Sequence, residues 1–330
     1  MRETASKDLA RCTFHFKRPV SRMLKRLHIY FKERYPLFVR FLLGVIIFGE
    51  IYFIILLNFG VTEFKTDFWN IMGAFTGAYT IFAFLLWLRI ADDLKDDETD
   101  KRLFPERPLA RGAVTKWDIR IAAIFFSAIA VVLNVVFMRE NLLFFAILYA
   151  YGFLMRNWFF AKYKIQPSLP LAVITHNPVQ IVMNLYIIAY TVQLYDLPAI
   201  SPWTILTLWT LYFPALIWEI SRKIRAPKDE TEYTTYSKLF GYKKMTKFVM
   251  ILTLVDICTN FALVFQLNHV TILLLALLVT WMTVTFVRFM RDPERFKLVE
   301  KVEIYTYIQE SLMLLTVAGY LIFGRIGFGG

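Results

Sequence analysis

Apolar runs long enough to cross a bilayer recur along almost the entire chain. A helix needs about 20 such residues to span ~30 Å of hydrocarbon. Nine stretches reach that length, approximately 37–58, 69–91, 119–138, 141–160, 168–192, 203–220, 246–266, 270–290 and 303–324. Only Arg139 and Glu140 separate the third from the fourth, which predicts a tight helical hairpin. Nine crossings put the two ends of the chain on opposite sides. Polar residues interrupt the runs at Glu50, Asn134, His176, Asn177, Asn184, Asp256, Asn260 and Glu310. Ionisable groups at membrane depth are costly and usually face the bundle interior; such residues can shape an acceptor pocket or accept a proton, but hydrogen bonding between helices is their commoner use. His176-Asn177-Pro178 signals a broken helix, because Pro178 removes a backbone donor and frees earlier carbonyls.

Composition agrees with this pattern. Of the 330 residues, 58% are apolar and 17% aromatic, and mean hydropathy is +0.50; soluble domains are nearer about 45–50% apolar. The chain reads as an all-α integral membrane protein, with a basic arm, residues 1–36, before a single membrane domain, 37–330. The arm lacks an apolar core with a small-residue cleavage site, so it does not read as a secretory signal. Cys12 and Cys258 offer neither a disulfide framework nor metal-ligand spacing.

The net charge of +12 follows from topology. Lys and Arg number ten before residue 36, seven in 89–116, three in 156–164, eight in 222–247 and five in 288–301, which is 33 of the 38. Alternating spans put all these segments on one side, and Lys- and Arg-rich loops are cytoplasmic. The N-terminus is therefore expected in the cytoplasm and the C-terminus opposite. The basic residues do not gather on one amphipathic or aromatic-interleaved segment, which argues against nucleic acid as a partner. The same alternation brings two long charged loops, after the second and sixth runs, to one membrane face, where function is commonly found.

The first of these loops holds Asp92, Asp93, Asp96, Asp97 and Asp100. A helix continuing through it would put Asp93, Asp96, Asp97 and Asp100 within about a third of its circumference. Like charges on one face repel, and hard divalent cations that take carboxylate oxygens relieve the repulsion. The other use of such a run is a solvated acidic face at a membrane boundary.

The run Asp92-Asp93-x-x-Asp96-x-x-x-Asp100, followed by Arg107-Pro108-Leu109 and Gly112, resembles the first signature of the UbiA superfamily of intramembrane prenyltransferases. The resemblance implies nine transmembrane helices around a central cavity, capped by two cytoplasmic loops that bind a prenyl diphosphate through Mg²⁺. It assigns Asp93, Asp96 and Asp100 to the metal and the catalytic centre, with Asp92 where many members have Asn. Arg107 and Arg111 would clamp the departing diphosphate, and Arg89 is expected to pair with the acidic cluster.

The second loop departs from the family pattern. Members carry Asp-x-x-x-Asp after the sixth span, whereas here Glu219 is followed four residues later by Lys223. Either Glu219 with Asp229 or Glu230 supplies a second metal site, or Arg222, Lys223 and Arg225 hold the diphosphate directly. The implied reaction ionises an isoprenoid diphosphate in a water-excluding cavity and transfers the prenyl group to a hydrophobic or aromatic acceptor. A terpene cyclase on the same fold is the alternative enzyme. A non-catalytic transporter or lipid-binding protein would instead use Glu50, Asp256 and Glu310 as an ion path, but the sequence lacks the matched broken helices of an inverted-repeat carrier.

Overall fold

The computed structural model describes residues 20–267 and 269–323, which form helices joined by turns and loops. Residues 1–19 of the basic arm, Cys12 among them, lie outside the described residues. The rest of the arm is built into the bundle: Val20–Arg34 forms helix α1 and buries Leu27 and Tyr30. Helices α2 (Leu37–Asn58) and α3 (Phe68–Lys95) follow. The chain then bends at Asp96 and restarts as the short α4 (Asp97–Leu103). Next come α5 (Lys116–Phe137), α6 (Leu142–Arg156), α7 (Leu169–His176), α8 (Val179–Leu194), α9 (Pro202–Thr210) and α10 (Phe213–Ser221). The short α11 (Tyr236–Phe240) leads into α12 (Tyr242–Val264), α13 (His269–Arg291) and α14 (Leu298–Phe323).

Local chemistry sets the helix starts. Asp67 accepts hydrogen bonds from the backbone N–H of Trp69 and Asn70 at the head of α3. Thr115 with Asp118, and Ser201 with Thr204, form reciprocal caps on α5 and α9. Each such cap satisfies donors that no helical carbonyl reaches and is worth about 1 kcal/mol.

Among the described residues, eight helical units are long and apolar enough to cross a membrane, with α7–α8 and α9–α10 each taken as one. The remaining expected run, 141–160, forms the 15-residue α6 between 3₁₀ turns at Arg139–Asn141 and Trp158–Phe160. The break expected at His176-Asn177-Pro178 is present between α7 and α8. A second break, not foreseen, divides the sixth run between Thr210 and Phe213. Pro214 accounts for it, since its ring and missing N–H cannot continue the helix.

The bundle closes on itself: α2 packs against α3, α8 and α14, so the last helix returns to the first. The α2–α3 contact is backbone-close at Gly44, where a Cβ would lie 2.7 Å from the carbonyl oxygen of Ala78. Of the polar residues in the spans, Asn134, Asn184 and Asp256 bond between helices, as expected, Asp256 accepting from Gln309 of α14 at 2.8 Å. Asn134 of α5 donates to Thr80 of α3 (2.7 Å) and accepts from Tyr186 of α8 (2.8 Å). Asn184 of α8 donates to the Leu208 carbonyl of α9 (3.2 Å).

Candidate functional site

The acidic run does not lie on one helix. The bend at Asp96 sends its carboxylates in different directions, so the shared face expected of Asp93, Asp96, Asp97 and Asp100 does not form. Asp92 is exposed, paired with Lys95 at 2.9 Å, and lines a cavity. Asp93, one residue on and about 100° around the helix, is buried with three partners. Arg34 and Arg89 each reach its Oδ1 at 2.7 Å, and the Tyr30 hydroxyl donates to Oδ2 at 2.7 Å. The pairing expected of Arg89 is therefore present. Burial and the Asp93 charge push the Tyr30 phenol up, which keeps it a donor. Asp97 is buried between Lys101 (2.8 Å) and Lys116 (2.7 Å). Burial alone would raise its carboxyl, but the two lysine hydrogen bonds hold it below the usual range.

Asp96 and Asp100 remain near the cavity-lining Asp92. Asp100 accepts from Arg107 at 2.5 Å, and Arg107 in turn stacks over the Phe104 ring at 4.0 Å. Among the described residues no cation reaches ion-pair distance of Asp96. Burial raises its carboxyl to about 6; Lys95 opposes the shift, and the charges of Asp92 and Asp100 add to it. Arg111 points away from this group, to Glu33 at 2.6 Å and the Glu106 carbonyl.

The second loop meets the first. Tyr233 packs edge-on against Phe104 with centroids 6.5 Å apart. Glu219, near the end of α10, accepts from Arg222 (2.6 Å) and Lys223 (3.0 Å) and lines the same cavity as Asp92. Arg225 donates to Thr231 (3.2 Å) and lies over the Tyr233 ring. Asp229 is exposed on the 3₁₀ turn Pro227–Asp229. Glu230 accepts from Thr235 and Ser237 and so shapes the loop from within.

The cavity holds about 390 Å³, within the range of small-ligand sites, about 300–1,000 Å³. Its charged mouth carries Arg34, Arg40, Arg89, Asp92, Glu219 and Glu303, and its walls include Leu43, Ile47, Leu85 and Leu88. Both helix breaks open onto it, through Asn177 and Gln180 at one and Leu211 and Pro214 at the other. Broken backbone at membrane depth is tolerated where it lines such a space. Sequence reasoning missed Tyr30, Arg34, Arg40 and Glu303 as parts of the site, whereas Asn177 was among the span residues that could shape a pocket. The spacing of Leu27, Tyr30 and Arg34, which brings one helix face of the arm inward, was the available signal.

Among the described residues no three His, Cys, Asp or Glu side chains gather closely enough to cage a metal ion. Mg²⁺ does not require such a cage: it keeps several waters and takes one or two carboxylates plus substrate phosphate oxygens. The crowding of Asp96 by Asp92 and Asp100 supplies hard oxygen donors of that kind, so the residues fit a metal ion shared with a phosphate ligand.

Comparison with known proteins extends this picture. The model of the UbiA prenyltransferase family matches residues 41–303. No curated protein matches the chain. A solved structure, described in work on digeranylgeranylglyceryl phosphate synthase in membranes, shares the fold with a TM-score of 0.57. The match covers 92% of this chain and 98% of that one at 14% identity.

Proposed function

Since the chain belongs to the UbiA prenyltransferase family, we propose that it binds an isoprenoid diphosphate at the charged mouth of this cavity and transfers the prenyl group to an apolar acceptor inside it. The observation that carries this reading is that Asp92 and Glu219, one from each charged segment, line one apolar cavity together with Arg34, Arg40 and Arg89. In this reading the mouth faces the cytoplasm.

The chemistry is electrostatic. Asp92–Lys95, Asp100–Arg107 and Glu219–Arg222–Lys223 are carboxylates already matched by cations. With a metal diphosphate bound, the carboxylates of such pairs would hold the metal and their cations would take phosphate oxygens, which guanidinium groups grip bidentately. Asp92, Asp96, Asp100 and Glu219 would hold Mg²⁺, and the ion when bound supplies charge neutralisation for the leaving pyrophosphate. Asp93 belongs to this centre as the residue that fixes Arg34 and Arg89 at the mouth. Arg107, Arg222, Lys223 and Arg225 take phosphate oxygens, while Arg111, Asp229 and Glu230 shape the loops around them. The apolar walls exclude water, which would otherwise quench the allylic cation.

The test is to incubate the purified chain with Mg²⁺ and geranylgeranyl diphosphate, with and without membrane lipid extract as a source of acceptor. Prenylated lipid formed only with the extract is expected. Cyclised hydrocarbon formed without it would replace transfer by cyclisation, and no pyrophosphate in either case would reject the enzymatic reading.

A further inference from the structure

The bundle has a second cavity, of about 410 Å³, at the end remote from the charged mouth. It lies where the α2–α3 loop, the turn Arg139–Asn141 and the end of α8 meet. Helix α3 runs from this cavity, at Asn70, to the mouth, at Asp92. That length of helix rises about 33 Å, close to the thickness of bilayer hydrocarbon, so the two spaces open at opposite ends of the membrane domain.

Basic residues are scarce at this end. The connections 59–67, 138–141, 195–201 and 265–268 contain only Lys65 and Arg139, and both line the cavity, as do Glu140 and Asp196. Among the described residues none of these four forms an ion pair, so two cations and two anions share one space with their charges unmatched. Lys65 instead donates to the Leu194 carbonyl and lies over the Tyr195 ring at 5.5 Å, which fixes its ammonium beside the end of α8. Asn141 is 1% exposed and donates to the Tyr186 carbonyl at 3.0 Å. Its Oδ1 is buried without a donor, and so is Oε1 of Gln193. Both residues line the cavity, and a buried acceptor left unmet costs about 1–3 kcal/mol. The wall continues into the lipid-facing surface. Val136 lines the cavity and, with Val132 and Val135, forms an exposed stripe on α5. Phe137 on the same wall meets the exposed rings of Phe68 (6.3 Å) and Trp69 (5.5 Å), and aromatic groups of this kind sit at the headgroup level of a bilayer.

We propose that this cavity binds the headgroup of a membrane phospholipid carrying a primary ammonium, as in phosphatidylethanolamine, with the acyl chains along the valine stripe of α5. The phosphate takes Lys65 and Arg139. The ammonium sits beside the carboxylates of Glu140 and Asp196, and its three N–H groups are the donors that Asn141 and Gln193 lack. An anionic headgroup would leave the two carboxylates facing like charge, and a choline headgroup has no N–H to donate. A zwitterion with N–H donors matches both halves of the site. The proposal does not depend on prenyl transfer.

The experiment uses the purified full chain, stripped of lipid in detergent, and counts bound lipid by native mass spectrometry. The dioleoyl lipids compared differ only in headgroup: phosphatidylethanolamine, its monomethyl and dimethyl derivatives, phosphatidylcholine and phosphatidylglycerol. The dissociation constant of the tightest site is expected to rise with each methyl group, reaching about tenfold at phosphatidylcholine, the factor that one satisfied buried acceptor carries. Phosphatidylglycerol is expected to bind more weakly than phosphatidylethanolamine by a similar factor. The double variant Lys65→Gln, Arg139→Gln and the single variant Gln193→Leu are each expected to weaken phosphatidylethanolamine binding about tenfold, with unfolding midpoints in lipid-free detergent equal to wild type. Equal affinity of the wild type for phosphatidylethanolamine and phosphatidylcholine overturns the proposal without recourse to any variant, and so does a wild type that retains no lipid. Wild-type affinity in both folded variants overturns the placement in this cavity. Soluble glycerophosphoethanolamine binding as tightly as the lipid overturns the membrane as the source of the ligand.

Discussion

Asp93 offers the sharpest division between a carboxylate that builds the site and one that binds the ligand. It is 4% exposed and accepts from Arg34 and Arg89 at 2.7 Å, with side chains 17% and 31% exposed. Replacing it by Asn leaves two guanidinium groups without their counter-charge. Breaking a buried ion pair in this way costs about 3–5 kcal/mol, and the partial exposure of both arginines puts the loss near the lower figure, about 3 kcal/mol. Arg34 and Tyr30 belong to α1, so much of the loss falls on the docking of that helix. A change of about 3 kcal/mol multiplies the undocked population over a hundredfold. Limited proteolysis of purified protein, read as the cleavage rate within Val20–Arg34, measures that population directly. Tyr30→Phe removes one hydrogen bond to a charged group and is expected to cost about 1.5–3 kcal/mol. The Asp93→Asn and Tyr30→Phe changes couple in a double-mutant cycle. If Asp93→Asn abolishes activity while cleavage of α1 and the unfolding temperature stay at wild-type values, Asp93 is a ligand and the structural account is wrong.

Asp92→Asn removes one exposed ion pair, so stability should stay within about 0.5 kcal/mol, while the turnover of geranylgeranyl diphosphate falls about a hundredfold or more. Chelation of divalent cations is expected to abolish pyrophosphate release reversibly, with activity restored by added Mg²⁺. The Asp96 carboxyl is raised to about 6 in the folded chain, so its contribution to stability is complete below about pH 4 and is lost as the pH rises through about 6. Unfolding midpoints from pH 4 to 7 should record a loss of up to about 3 kcal/mol, and Asp96→Asn should flatten that slope. Gly44→Ala forces a Cβ to within 2.7 Å of the Ala78 carbonyl oxygen and is expected to cost about 1–3 kcal/mol by overpacking. A thermal midpoint equal to wild type would show that α2 and α3 separate freely.

The membrane class, the run boundaries and the segregation of charge were legible because each depends on local composition. A run of apolar residues becomes a helix wherever it lies, and its length alone decides whether it spans. The break at Asn177 and Pro178 was legible for the same reason, since Pro acts on its own turn. The break ahead of Pro214 follows the same rule but was hidden in a run read as continuous. Asp92 and Asp93 show the limit of this kind of reading. The pattern marks both as acidic, yet only tertiary packing turns one toward the cavity and the other toward Arg34 and Tyr30. That choice depends on α1, whose basic composition read as a cytoplasmic arm set before the membrane domain and whose Tyr30 is fully buried.

By itself, then, the sequence determined an all-α membrane protein with an acidic prenyltransferase signature, because hydrophobic length and motif spacing are properties of contiguous residues. Tertiary structure alone decided which carboxylates share a cavity and that α2 and α14, separated by most of the chain, meet along it. Those outcomes arise from helix rotation and ring closure, and both are set by contacts between residues remote in sequence.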